Sequence, residues 1–208
     1  MTYLAHFFIA YGLSFIGSLP FGMINMTVAH TAIRKGMQAA IFAAIGAAIV
    51  ELVQVFIALK FTWLFAENPS IERIFQIVAT VVFFAGGTFF FFFAKSKPAV
   101  SEADIKPSKS GDFFRGMFIS TLNLMVIPYW IFYGTLLTTN GLLVRDNPHV
   151  VVFSFGTMFG TFTLLVVYAF LGARILSKSE QITRWVNKSI GLLLIGFGVF
   201  QVFKLLNG

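Results

Sequence analysis

The chain contains no cysteine. That absence excludes disulfides, thiolate metal sites and thiol redox chemistry. Charge is almost as scarce: Asp, Glu, Lys and Arg make up 11% of the 208 residues, about half the share found in a soluble domain. A chain so poor in charge is not built to present its whole surface to water. No glycine-rich phosphate loop is present, so a built-in ATPase is excluded. Segment 1–33 carries no Lys, Arg, Asp or Glu. It therefore lacks the basic start of a signal peptide, and with Pro20 inside it and no A-x-A cleavage site it reads as a retained first helix.

What fills the chain is apolar, at 58% hydrophobic residues. A span needs about 20 mainly apolar residues. Runs at 4–26, 37–59, 74–94, 114–138, 149–173 and 185–206 meet that need and predict an all-α membrane protein of six transmembrane helices. The sixth run is enclosed by Lys188 and Lys204, whose long side chains can snorkel to the headgroups; five spans are the alternative. The net charge of +7 would suggest nucleic acid in a soluble protein, but the placement of the basic residues points to lipid. Eleven Lys and Arg follow runs one, three and five, against four on the other side. The odd loops, including 95–112, are thus expected in the cytoplasm and both termini outside.

The one linker-like stretch, Lys95 to Asp112, divides the chain near its midpoint. The halves resemble each other weakly. Ile71-Glu72-Arg73 recurs as Ile182-Thr183-Arg184 and Gly87 as Gly198, both displaced by 111; Gly46 recurs as Gly156, displaced by 110, and Pro20 and Pro128 stand 108 apart. Agreement on nearly one displacement predicts a three-helix repeat over 1–94, a linker over 95–112 and a second repeat over 113–208. With three spans per half, the second copy enters the membrane from the other side, giving two inverted three-helix repeats of the kind secondary transporters use.

Helices one and four are the expected discontinuous spans. Gly17-Ser18-Leu19-Pro20-Phe21-Gly22 gathers two glycines and a proline, which weakens the helix and deletes a backbone donor. Freed backbone groups cannot face lipid, so they bind protein, water or the charged ends of a solute. Pro20, Gly22 and Asn25 are therefore candidate substrate-binding residues, as are Asn123 and Pro128 in the fourth run; a kink that only shapes packing is the competing use. Tyr129 and Trp130 are expected as interface anchors.

Glu51 is the single acid inside a predicted span, and an ionised carboxylate at mid-membrane costs about 3 kcal/mol on insertion scales. Its helical face reads Ala40, Ala44, Ala47, Glu51, Gln54, Ala58, all small or polar. The rest of the helix carries Ile41, Ile45, Ile49, Leu52, Phe56 and Leu59, so Glu51 is expected to face the bundle. A proton carrier, with Gln54 beside it, or a counter-charge for an ammonium group competes here with a purely structural hydrogen bond. Helix five carries Ser154, Thr157, Thr161 and Tyr168, with Gly156 and Gly160 spaced for close helix contact; in repeat register Thr161 takes the place of Glu51. The run Phe89 to Phe93 covers every side of a helix and reads as lipid-facing bulk. His6, His30 and His149 lie near helix ends without ligand spacing, so neither a metal site nor a cofactor is expected. The spans hold no paired acids, no His cluster and no Ser with a recognisable base, which speaks against an enzyme.

Several of these segments together resemble a known family: Ser18-Leu19-Pro20-Phe21-Gly22-Met23-Ile24-Asn25, Arg34-Lys35-Gly36, Gly46 to Glu51, Phe114-Arg115-Gly116 leading to Asn123, and Gly191 to Gly198. They are similar to those of the LysE (LysE/RhtB-type) amino-acid exporters. The family often has Pro-Gly-Pro in the first break, where Phe21 and Met23 stand here, and Asn-Pro in helix four, where Leu124 follows Asn123. The resemblance implies a divergent member, multi-pass in a bacterial inner (plasma) membrane. It implies export of an amino acid or similar small polar solute, coupled to protons or membrane potential, with the lipid bilayer and the solute as partners and no nucleic acid. A homodimer is compatible with it. Export of a metal cation and a non-transporting scaffold or assembly protein are the alternatives.

Overall fold

The computed structural model describes residues 2–19, 22–93, 108–123, 126–144, 146–176 and 179–207. Among these there are eight α-helices and no strand: α1 (Tyr3–Gly17), α2 (Met23–Lys35), α3 (Met37–Glu67), α4 (Pro69–Thr88), α5 (Lys109–Thr121), α6 (Val126–Thr139), α7 (Asn147–Leu176) and α8 (Ser179–Asn207). A π-helical turn, Phe89–Phe93, continues α4.

Helix ends follow local chemistry. Thr2 caps α1 by accepting the Ala5 N–H at 3.4 Å, and Ser108 caps α5 by accepting that of Gly111 at 3.3 Å, as short hydroxyl side chains do at N-termini. Arg34 and Lys35 close α2, where positive charge complements the carbonyl end of the helix. Gly36 then turns the chain at φ +90°, a conformation glycine adopts without steric cost.

The first predicted run is two helices, α1 and α2, with Gly22 as the N-cap of the second; Pro20 itself lies outside the described residues. The fourth is also two helices, bent by 64° across residues 122–125. Pro128 falls in the first turn of α6, where a missing N–H removes no intrahelical bond. The break therefore precedes this proline. By length and composition, α3, α4 with its π turn, and α7 can each cross a bilayer, and the bent α5–α6 pair makes a fourth candidate span. Shorter apolar helices occupy Tyr3–Gly17 and Leu194–Phe203.

Contacts divide the chain into two units, Met1–Thr62 with Pro98–Lys178, and Trp63–Lys97 with Ser179–Gly208. In the first, α1 and α2 pack along α7. Its core joins Val28, Ala40, Ala43, Ala44, Ala47, Leu165 and Ala169; the alanines let neighbouring helices approach closely. Gly156 and Gly160 bring α7 against the backbone of α1 at Phe7 and Tyr11. Leu59 departs from the expected pattern: it is fully buried, because Gly134 on α6 leaves room for its side chain. In the second unit, α4 packs on α8. Phe89, Phe92 and Phe93 are exposed, while Phe91 lies against Gly191.

Candidate translocation site

Glu51 is buried in α3, 8% exposed. Its Oε1 accepts from Ser14 Oγ at 3.4 Å, and the polar ends of Thr161 and Trp130 also stand by the carboxyl. Ser14 Oγ and Thr161 Oγ1 are themselves 2.6 Å apart. One carboxyl thus gathers neutral groups from α1, α6 and α7.

The break between α1 and α2 adjoins this cluster, since Ser18 Oγ lies 3.5 Å from Thr161 Oγ1. Its carbonyls are answered by side chains from elsewhere, as the apolar surroundings of a membrane demand. Asn25 Nδ2 donates to Ser18 O at 2.8 Å, and the Tyr168 hydroxyl donates to Leu19 O at 2.6 Å. Tyr129 donates to Leu13 O at 3.0 Å, its ring close against Gly17. The amide end of the break is different: Gly22 has no side-chain capping bond, and a Cβ there would meet nothing within 4 Å.

Of the residues singled out in the sequence, the structure brings Glu51, Thr161 and Asn25 to this locus. Gln54, one turn from Glu51, instead donates to Ser120 O on α5 at 3.5 Å; its buried Oε1 has no hydrogen-bond partner among the described residues. Asn123 enters through its backbone, the N–H donating to Ser120 O at 3.0 Å and the carbonyl accepting from Val126 at 3.4 Å. Ser154 and Thr157, on the Thr161 stripe, return their hydroxyls to their own helix at Val150 O and Phe153 O.

Ser14 and Trp130 were missed. A signal for Ser14 exists, because His6, Ala10, Ser14 and Ser18 recur every fourth residue along one face. Trp130 is no interface anchor: it is 1% exposed and packs edge-on to Phe153 at 5.6 Å. Two of the three histidines meet. His6 and His149 lie 4.6 Å apart, with Tyr3 stacked on His149 at 4.3 Å and Asp146 Oδ1 2.6 Å from His149 Nδ1. Among the described residues no group of three or more His, Cys, Asp or Glu side chains is arranged to hold a metal ion.

A family model, LysE type translocator, matches residues 15–204. The chain belongs to the LysE type translocator family. Membership makes it a multi-pass membrane transporter rather than an enzyme and implies export of small solutes such as amino acids. Comparison of this LysE-type translocator with the curated proteins and with the solved structures returns no match.

Proposed function

We propose that this LysE-type translocator exports an amino acid or similar small polar solute bearing an ammonium group, driven by a proton gradient or the membrane potential. The observation that carries the reading is Glu51, a buried carboxyl whose polar neighbours Ser14, Thr161 and Trp130 are all neutral. A carboxyl without a counter-charge among the described residues answers, in such a place, to a proton or to a cationic group that visits it. Beside it stands the carbonyl end of a broken helix, which attracts positive charge, while the amide end at Gly22 suits a carboxylate. In this reading Pro20, Gly22, Asn25, Asn123, Pro128 and Thr161 shape and line the site, and Glu51, with Gln54 behind it, couples transport.

The architecture we propose is six transmembrane helices in two inverted repeats, 1–94 and 113–208, joined by a cytoplasmic segment 95–112, with both termini outside. Reciprocal contacts support it. A Cβ on Gly87 would stand 2.8 Å from Ile195 Cγ1, and one on Gly198 would stand 3.0 Å from Phe84 Cε2. The displacement of 111 that carries Gly87 onto Gly198 also carries Phe84 onto Ile195. Likewise Gly46 of α3 abuts the Phe113 carbonyl of α5, and Gly156 of α7 abuts the Phe7 carbonyl of α1. Each contact unit draws helices from both halves.

The test is Glu51→Gln in proteoliposomes with imposed pH and voltage gradients, against a panel of amino acids and amines. The variant is expected to insert normally and to lose gradient-driven transport. Normal transport by the Gln variant would remove Glu51 from the coupling role.

A further inference from the structure

One buried charged group has no part in the site above. Asp112, 1% exposed in its side chain, stands in the first turn of α5, with its Oδ1 2.7 Å from Lys35 Nζ in the last turn of α2. Each charge also suits the helix end that carries it. On one side of the pair, α5 is fastened to α3: Gly116 abuts the Ala43 backbone, and Ser120 Oγ donates to Ala47 O at 3.1 Å. On the other side, α2 packs on α7, with Gly172 close to Ala29 O. The ion pair therefore ties the second piece of one broken span to the first piece of the other.

The proposed repeat relates α2 to α6 and α5 to α1, so the equivalent tie joins the far end of α6 to the start of α1. There the connection is a hydrogen bond through a histidine rather than a lysine–aspartate pair. The Val144 N–H donates to Nε2 of fully buried His6 at 3.1 Å, and His6 Nδ1 lies 3.0 Å from Thr2 O. The two ends of the bundle are thus fastened at corresponding places by different chemistry.

We propose that Lys35 and Asp112 form an ionic latch that holds shut the end of the bundle where α2 stops and α5 begins, and that opening a path there requires the pair to part. The inference rests on the translocator reading, since a latch needs a passage to close. A solvated surface pair would hold little. A buried carboxylate cannot leave its partner without meeting water or staying desolvated and unpaired, so this interface has a paired, dry state and a parted, wet one, with nothing stable between.

The absence of cysteine gives a clean test. Thr31→Cys puts one thiol a turn before Lys35, at a position 4% exposed. The full chain is reconstituted in vesicles and labelled with a membrane-impermeant maleimide presented to both faces. Labelling is expected to be slow with the native pair, about tenfold or more faster with Asp112→Asn, and slow again when Lys35→Asp is combined with Asp112→Lys. Ser154→Cys, 1% exposed in α7, serves as the packing control. Should it too become fast in Asp112→Asn, the exchanged pair decides, because it keeps both charges. An unchanged rate in Asp112→Asn, or fast labelling in the exchanged pair while the Ser154→Cys thiol stays slow, overturns the latch. Transport is measured in parallel in native vesicles: a failed latch leaves native transport intact, whereas a failed translocator reading leaves native vesicles inactive whatever the labelling shows.

Discussion

At the scale of single residues, Glu51 stood out in the sequence because an acid inside an apolar run must be accounted for. Its partners did not stand out. Ser14 and Trp130 are 37 and 79 positions away along the chain from Glu51, and only tertiary packing brings them to the carboxyl. Tyr129 and Trp130 follow Pro128 where an interface anchor is a reasonable expectation, yet close helix packing turns both inward. The histidines show the same limit, since His6 and His149 meet only after α1 is laid along α7. Asp146 is a simpler case. It accepts the His149 backbone N–H at 2.8 Å, and that bond, with the adjoining ring, holds its pKa below the ordinary 3.8. A depressed carboxylate pKa contributes stability above the ordinary value that is lost as pH falls below it. Thermal unfolding in detergent should therefore show Asp146→Ala less stable than the native chain near neutral pH, with the difference shrinking as pH falls below the ordinary 3.8. A difference that persists in acid would mean the cap does not act through its charge.

At the scale of elements, the alanine face of α3 and the interruptions of spans one and four were legible, because small residues and Gly-Pro clusters have few other uses in a membrane helix. The position of the second break was not. Pro128 suggested it, but the chain bends at 122–125 and leaves the proline in a helical first turn, where the lost donor is harmless. Glycines separate in the same way between those that packing requires and those it does not. A Cβ on Gly12 in α1 would meet nothing within 4 Å, whereas one on Gly116 in α5 would run into the Ala43 carbonyl. Gly12→Ala should then raise stability by about 0.5–1 kcal/mol through backbone entropy. Gly116→Ala should lower it by about 1–3 kcal/mol through overpacking. Paired melting curves of the two variants measure both, and equal shifts would sink the distinction.

At the scale of the whole molecule, the asymmetry of Lys and Arg carries a prediction about sidedness. Lys109, at the start of α5, and Asn140, after α6, are both exposed, and the six inverted spans we propose put them on opposite faces. In sealed vesicles of known orientation, Lys109→Cys should react with an impermeant thiol reagent only from the cytoplasmic face, and Asn140→Cys only from the other. Reaction of both from one side would refute the topology. The repeat we propose rests in the sequence on a handful of coincidences near one displacement. Gly87 and Gly198 are one of those matches, and both glycines lie at the contact between α4 and α8. An enlargement at Gly198 meets only the ring of Phe84, which a smaller side chain there would relieve, whereas one at Gly87 also meets the backbone at Gly191 O and Ile195 N, so of the two matched glycines only Gly198 can be exchanged against its partner.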